Sequence, residues 1–239
     1  KKLTKDLEPY NMREHTGFLR NVMIRVGTNT KEVMVNIITS REDEESLIPI
    51  KDSLIITFPS ITSIVNNITT RKSGVSMGEH QIVLHGNEYM LEKLGKYEFM
   101  ISADSFFQTN TRQAKKLYEI ILEESKLTGK EIVYDLFCGT GSISLYISSH
   151  AKMVYGFELV ISSVHDAMQN AARNKVKNAW FFKGDLKDLF RNNQEVKDLE
   201  IPHVMIVDPP RTGLHINTIE DILEKSPKRI VYVSCNPST

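Results

Sequence analysis

Two rhythms of apolar and polar positions divide the chain near residue 100. Between residues 17 and 100 the apolar runs are short, rich in β-branched residues and partly alternating, as in half-buried strands. FLRNVMIRVG and EVMVNIITS flank TNTK and predict a hairpin. SLIITFP, HQIVLHGNEYMLEKL and YEFMIS read as further strands, with REDEES a short charged turn and a Ser/Thr/Asn-rich stretch after SLIITFP. No internal repeat and no low-complexity tract interrupts the pattern.

From residue 104 the period lengthens. TNTRQAKKLYEIILEESKL places Ala114, Leu117, Ile120, Ile121 and Leu127 at helical spacing, with Thr109 or Asn110 as N-cap. Strand and helix then alternate: EIVYDLF precedes GSISLYISSH, MVYGFEL precedes SSVHDAMQNAARNK, AWFFKGD precedes a polar helix, and HVMIVDPP precedes NTIEDILEKS before RIVYVSC. Five near-continuous apolar strands with intervening helices predict a parallel sheet covered on both faces. The expected organisation is α/β, with a smaller β-rich α+β domain over residues 1–100 followed by a Rossmann-like domain over residues 101–239. In such sheets ligands bind beyond the carboxyl ends of the strands. Asp135, Glu158, Asp185, Asp208 and Cys235 all fall at those ends.

Composition narrows the function classes. The chain has 239 residues, 41% of them hydrophobic, enough for one or two buried cores. Lys and Arg number 30 against 30 Asp and Glu, so a polyanionic partner must be met by a local patch. Two cysteines argue against a disulfide scaffold and fit a reducing cytosol. KKLTKDLEPY lacks the apolar core of a signal peptide, and no stretch approaches the ~20 apolar residues of a membrane span. A soluble cytoplasmic protein without a membrane partner is expected.

The candidate chemistry gathers at the strand ends. DLFCGTGS places Gly139 and Gly141 in the turn between the first strand of the alternating series and its helix, where the backbone can approach a ligand closely. Glu158 follows Asp135 by 23 residues, near the ~20-residue offset of an acid that grips ribose hydroxyls. Asp185 ends the third strand, in position to meet an adenine amino group. A dinucleotide site would prefer a third glycine where the sequence has Ser142-Ile143-Ser144, and an aspartate before the loop repels phosphates. Acidic strand ends suit a ligand with a cationic centre and no phosphate. S-adenosyl-L-methionine has both properties, which favours methyl transfer over hydride transfer. In IVDPPRTGL the prolines stiffen the turn after Asp208. Arg211 beside them is read either as a contact to RNA phosphate or as the partner of a surface acid.

DLFCGTGSISL, FELV, NAARNKVKNAWFFKGD, DPPRTGL and VYVSCNPST, in this order, resemble the motifs of the RNA uracil-C5 methyltransferase family. SADSFFQTN resembles the segment just upstream of that family's catalytic domain, and EHTGFLRNVMIR the start of its central domain. The resemblance implies a class I S-adenosylmethionine-dependent fold making 5-methyluridine in RNA, with ribosomal RNA as the first reading and transfer RNA as the second. It implies that Cys235 is the nucleophile and that Gln108, Phe137, Ser142, Glu158 and Asp208 line the cofactor site. Ser142 stands where some members have Asn. Phe106 is the residue expected to stack on the target base, with Gln108, Asp208 and Arg211 also assigned to the substrate. The domain over residues 1–100 is expected to touch RNA.

The chemistry explains the cysteine. Uracil C5 is a poor nucleophile until a thiolate adds to C6, and the base must leave its stack for either to be reached. The thiolate is the active form, so Cys235 needs an environment that lowers its pKa. Cys138, inside the glycine loop, is read as packing. The resemblance further implies a proton-abstracting Glu downstream of the Ser-Cys-Asn-Pro motif and two more strands completing the sheet. These residues are therefore expected to be part of a longer, monomeric protein, with no metal bound in this stretch. Two alternatives remain open on sequence grounds: a methyltransferase acting on an amino group, with Cys235 structural, and an RNA-binding scaffold that keeps the fold without catalysis.

Overall fold

The computed structural model describes residues 7–72 and 78–234. The chain divides into two compact units, Lys1–Lys93 with Met100–Asp104, and Leu94–Phe99 with Ser105–Thr239.

In the first unit β1 (Leu19–Val26), β2 (Val33–Thr39), β3 (Ile61–Ile68) and β4 (His80–Gly86) form one sheet in that order. The expected hairpin forms around TNTK and joins β1 to β2 antiparallel. The β2–β3 pair is parallel, and α1 (Glu44–Thr57) supplies the crossover that parallel pairing requires. SLIITFP is thus not a strand: its first five residues close α1. Leu47, Ile50 and Leu54 recur at helical spacing and pack on Val35, Ile37 and Ile64, and burial of that face outweighs the β-propensity of the isoleucines. REDEES starts the same helix. Asp43 is the N-cap, accepting from the Ser46 N–H at 3.2 Å, and Glu44 and Glu45 in the first turn complement the helix dipole. The Ser/Thr/Asn-rich stretch after it is β3, buried over nearly its whole length. Burial there is compatible with polar side chains because they are satisfied in place: Asn66 Nδ2 donates to the Ile37 carbonyl at 2.9 Å and to Thr39 Oγ1 at 3.0 Å. HQIVLHGNEYMLEKL divides into β4 and β5 (Tyr89–Leu94), and β5 pairs with β6 (Tyr97–Ser102); the turn that joins them, within Leu94–Phe99, belongs to the second unit.

In the second unit α2 (Thr111–Ser125) is capped by Asn110, whose side chain accepts from the Gln113 N–H at 3.1 Å. Its buried face carries Ala114, Tyr118, Ile121 and Ser125, while Ile120 is 56% exposed. The expected stripe counted aliphatic residues and passed over Tyr118. The series continues as β7 (Ile132–Leu136), α3 (Ser142–Ser148), β8 (Met153–Glu158), α4 (Ile161–Arg173), β9 (Ala179–Lys183), α5 (Leu186–Asn192), α6 (Gln194–Lys197), β10 (Val204–Val207), α7 (Ile216–Lys225) and β11 (Arg229–Tyr232). The five strands pair in parallel in the order β11-β10-β7-β8-β9. Strand order reverses between β7 and β10, the point at which doubly wound sheets open a crevice. One face of the sheet is held by rings: Tyr134 and Phe157 lie 4.9 Å apart, and Phe190 of α5 meets Phe157 edge-on at 5.1 Å. β11 departs from the expected burial, since Ile230 and Tyr232 on this outer strand are exposed. No helix among the described residues is long and apolar enough to cross a membrane.

Candidate active site

The site is built outward from β7, which is buried along its whole length. Strand alternation sends Tyr134 and Leu136 into the aromatic core and turns Asp135 to the other face. Asp135 is fully buried there. Ser144 of α3 donates to its Oδ2 at 2.5 Å, while Oδ1 has no partner among the described residues. Burial outweighs the Ser144 bond, and the like charges of Asp208 and Glu158 add to it, so the carboxyl is pushed up to about 7. Asp208, half-buried at the end of β10, is also raised by burial.

Beyond Leu136 the backbone turns through three left-handed residues, Phe137 (φ 64°), Gly139 (φ 53°) and Gly141 (φ 75°). The two glycines serve different ends. A Cβ on Gly141 would stand 2.9 Å from the Phe181 ring and 3.0 Å from Ala167 Cβ, so this position lets α3 start close against its neighbours. A Cβ on Gly139 would meet nothing within 4 Å, so the backbone there borders open space. Glu158 ties that edge down: its Oε2 accepts from the Gly139 N–H at 3.0 Å and its Oε1 from the Val160 N–H at 2.9 Å. Cys138 points the other way and is buried, with burial and the charges of Asp135 and Glu158 raising its thiol well above the ordinary value. Such a thiol is inert, consistent with a packing role.

The structure therefore brings together Asp135, Phe137, Gly139, Gly141, Ser142, Glu158 and Asp208. Asp185 behaves differently. Its carboxylate caps α5, accepting from the Lys187 N–H at 3.1 Å and pairing with Lys187 Nζ at 3.0 Å, which holds it below the usual range. Gln108 and Phe106 sit on the segment leading into α2. Ser105 donates to the buried Asp166 of α4, and the Phe107 ring lies 5.6 Å from Phe99. Between these anchors Phe106 stands 67% exposed. Arg211 is exposed on the loop after Asp208. Cys235 lies outside the described residues.

Two participants escaped the sequence reading. Tyr118, on the buried face of α2, hydrogen-bonds Ser142 at 2.7 Å, and burial together with the charges of Asp135 and Asp208 raises its hydroxyl. Its signal was the spacing 114-118-121-125, visible once the aromatic is counted as core. Ser144 was hidden inside an apparently routine helix start, where only its position opposite Asp135 gives it a role.

Comparison with known proteins fits this geometry. An uncharacterized RNA methyltransferase of Chlorobaculum tepidum is 43% identical over 236 residues, covering 98% of this chain and 49% of that protein. One from Bacillus cereus is 41% identical over 230 residues, covering 96% and 50%. The chain thus spans about half the length of these relatives. The solved tRNA (uracil-54, C5)-methyltransferase of Pyrococcus abyssi, in complex with S-adenosyl-L-homocysteine, superposes with a TM-score of 0.75 at 29% identity, over 99% of this chain and 55% of that one. The family profile described as tRNA (Uracil-5-)-methyltransferase matches residues 65–239. This chain belongs to the tRNA (uracil-5-)-methyltransferase family.

Proposed function

We propose that the protein is an S-adenosyl-L-methionine-dependent RNA methyltransferase that converts uridine to 5-methyluridine through a covalent adduct on Cys235. The observation that carries this reading is the acid-lined opening at Gly139. Asp135, Glu158 and Asp208 surround it without an ion-pair partner among the described residues, and Asp135 Oδ1 is unsatisfied. A ligand with a cationic centre, ribose hydroxyls and no phosphate suits that set of donors and acceptors. Glu158 would hold the ribose and Asp185 the adenine amino group, with Phe137, Gly139, Gly141 and Ser142 forming the wall and Gln108 and Asp208 facing the reacting end. Bound there, the cofactor supplies an electrophilic methyl group.

The chain's own residues make the carbon that receives it. The Cys235 thiolate adds to uracil C6, the C5=C6 electrons move onto C5 and its carbonyl, and C5 becomes nucleophilic. Once C5 has taken the methyl group, a base removes the C5 proton, the C6–S bond breaks to release the Cys235 thiolate, and the C5=C6 bond re-forms. Phe106, exposed between two anchored neighbours, offers a face for the unstacked base, and Arg211 a charge for its phosphate. The target RNA has two readings. Ribosomal RNA is the first, and the solved transfer RNA enzyme of Pyrococcus abyssi favours the second.

The test uses RNA with 5-fluorouridine at the target. Fluorine does not leave as a proton, so the protein–RNA adduct accumulates and survives denaturation, in a manner that requires S-adenosylmethionine. Cys235→Ala abolishes the band and Cys138→Ala retains it. Normal 5-methyluridine formation by the Cys235→Ala protein overturns the proposal.

A further inference from the structure

A cleft of about 390 Å³ opens on the second unit between the β5–β6 turn and the ends of α3 and α4, lined by Lys96, Tyr97, Ser148, Asn174, Lys175 and Lys177 among others. Helices α3 and α4 run antiparallel to the strands they connect, so their carboxyl ends lie where the strands begin. The Val154 N–H at the start of β8 accordingly bonds the Asn178 carbonyl at 2.8 Å. The cleft is therefore at the opposite rim of the sheet from Gly139. None of the residues that line the cleft is Asp or Glu, although the chain as a whole balances its charges; Glu98 borders it, bonded through its backbone to Asn174.

The neutral polar groups of the cleft are already committed. Asn178 Nδ2 donates to the Ser148 and Ala151 carbonyls at 2.8 and 3.0 Å, Asn174 Nδ2 to the Glu98 and Asn170 carbonyls at 2.7 and 2.8 Å, and Ser148 Oγ to Leu145 at 2.7 Å. The nearby Glu98 is paired with Arg173 at 3.2 Å. The three lysines are exposed and not ion-paired with any carboxylate among the described residues; Lys96 Nζ meets the Ser149 hydroxyl at 3.3 Å and lies over the Tyr97 ring at 5.1 Å, neither of which neutralises its charge. Two helix carboxyl ends contribute roughly −0.5 charge each against three ammonium groups, so the cleft stays net positive by about two charges. Its free valence is for anions.

We propose that this cleft holds backbone phosphates of the RNA substrate, a second contact remote from the methylated base. The inference rests on the RNA methyltransferase reading. Exposed lysines favour a polymer over a small anion: flexible, hydrated point charges in an open cleft grip a phosphate chain through counterion release but lack the buried, fixed donors of a small-anion site. Strands of five or six residues put the two rims about 17–20 Å apart, so the substrate that touches both is a folded RNA and not a lone nucleotide.

The test compares the protein with its Lys96→Gln/Lys175→Gln/Lys177→Gln variant, titrated with unmodified transfer RNA and ribosomal RNA transcripts across a salt series. The expected result is a log–log salt slope shallower by about 2, at roughly 0.7 per contact, and RNA affinity lower on the order of 10–100-fold near 0.1 M salt. S-adenosylmethionine affinity and melting temperature stay unchanged. An unaltered slope in a variant of a protein that does bind RNA overturns the inference alone. Tripolyphosphate that binds the cleft and is not displaced by RNA also overturns it, in favour of a small-anion site. A wild-type protein that binds neither transcript sinks the RNA reading itself, and the cleft proposal with it.

Discussion

The two rims of the five-stranded sheet carry opposite characters. At the carboxyl ends Asp135, Glu158 and Asp208 gather without cationic partners among the described residues, Asp135 fully buried and the other two partly so, beside a glycine that leaves room above the backbone. At the amino ends Lys96, Lys175 and Lys177 line a cleft without carboxylate partners among the described residues and stay exposed. The depth of the charges separates the two. Buried carboxylates with fixed hydrogen bonds select one ligand by shape and proton balance, whereas exposed ammonium groups attract any polyanion and yield to salt. A neutral chain can therefore hold a cationic cofactor at one rim and a polyanion at the other.

The largest effect breaks the acidic rim through its scaffold. Gly141→Ala combines left-handed strain with a clash against Phe181, and we expect it to lower stability by roughly 2–4 kcal/mol in denaturant titration. Gly139→Ala carries the strain alone, about 1–2 kcal/mol, because its Cβ meets open space. Equal losses would show that the opening at Gly139 has no special character.

Removing one acid sharpens the comparison next. Glu158→Ala should weaken S-adenosylmethionine binding by about 1–3 kcal/mol in calorimetry, the scale of hydrogen bonds to a charged group. RNA affinity should stay as it was. Unchanged cofactor affinity in a folded variant removes Glu158 from the site.

The smallest effect is a proton. With its carboxyl pushed up to about 7, Asp135 is largely protonated at pH 6, and a sulfonium ligand favours the ionised form. Affinity for S-adenosylmethionine should rise about ten-fold from pH 6 to pH 8, with a smaller change for the uncharged sulfur of S-adenosylhomocysteine. The ligand-free protein shows the reverse trend in stability from this group. The fold keeps a proton that the unfolded chain, near 3.8, has released, so the contribution falls as pH rises from about 4 to about 7. Asp135→Asn should flatten both profiles.

The second unit was more legible in the sequence than the first, for a physical reason. Parallel strands buried on both faces write themselves as continuous apolar runs, and an acid at the end of a run is conspicuous, as at Asp135, Glu158, Asp185 and Asp208. Asp185 carries the same signature and in addition caps α5 and pairs with Lys187, a local bond that strand-end position cannot reveal. In the first unit α1 was mistaken for a strand because Ile55, Ile56 and Thr57 are β-branched, while the decisive contacts of Leu47 and Leu54 are with residues far along the chain. β3 was obscured by composition, since Asn66 counts as polar until its partners Ile37 and Thr39 are known. Tyr118 and Ser144 act through neighbours that only folding supplies.

The strand order also sets a schedule. Because β10 inserts beside β7, ahead of everything between them in sequence, the crevice has one wall from residue 136 and the other from residue 208. At ~5–20 residues per second a ribosome separates those events by roughly 4–14 s. During that interval the nascent chain presents β7 without its β10 neighbour and with Asp135, then Glu158, in place but not Asp208. A complete acidic rim, and with it cofactor capture, accordingly waits for the synthesis of residue 208.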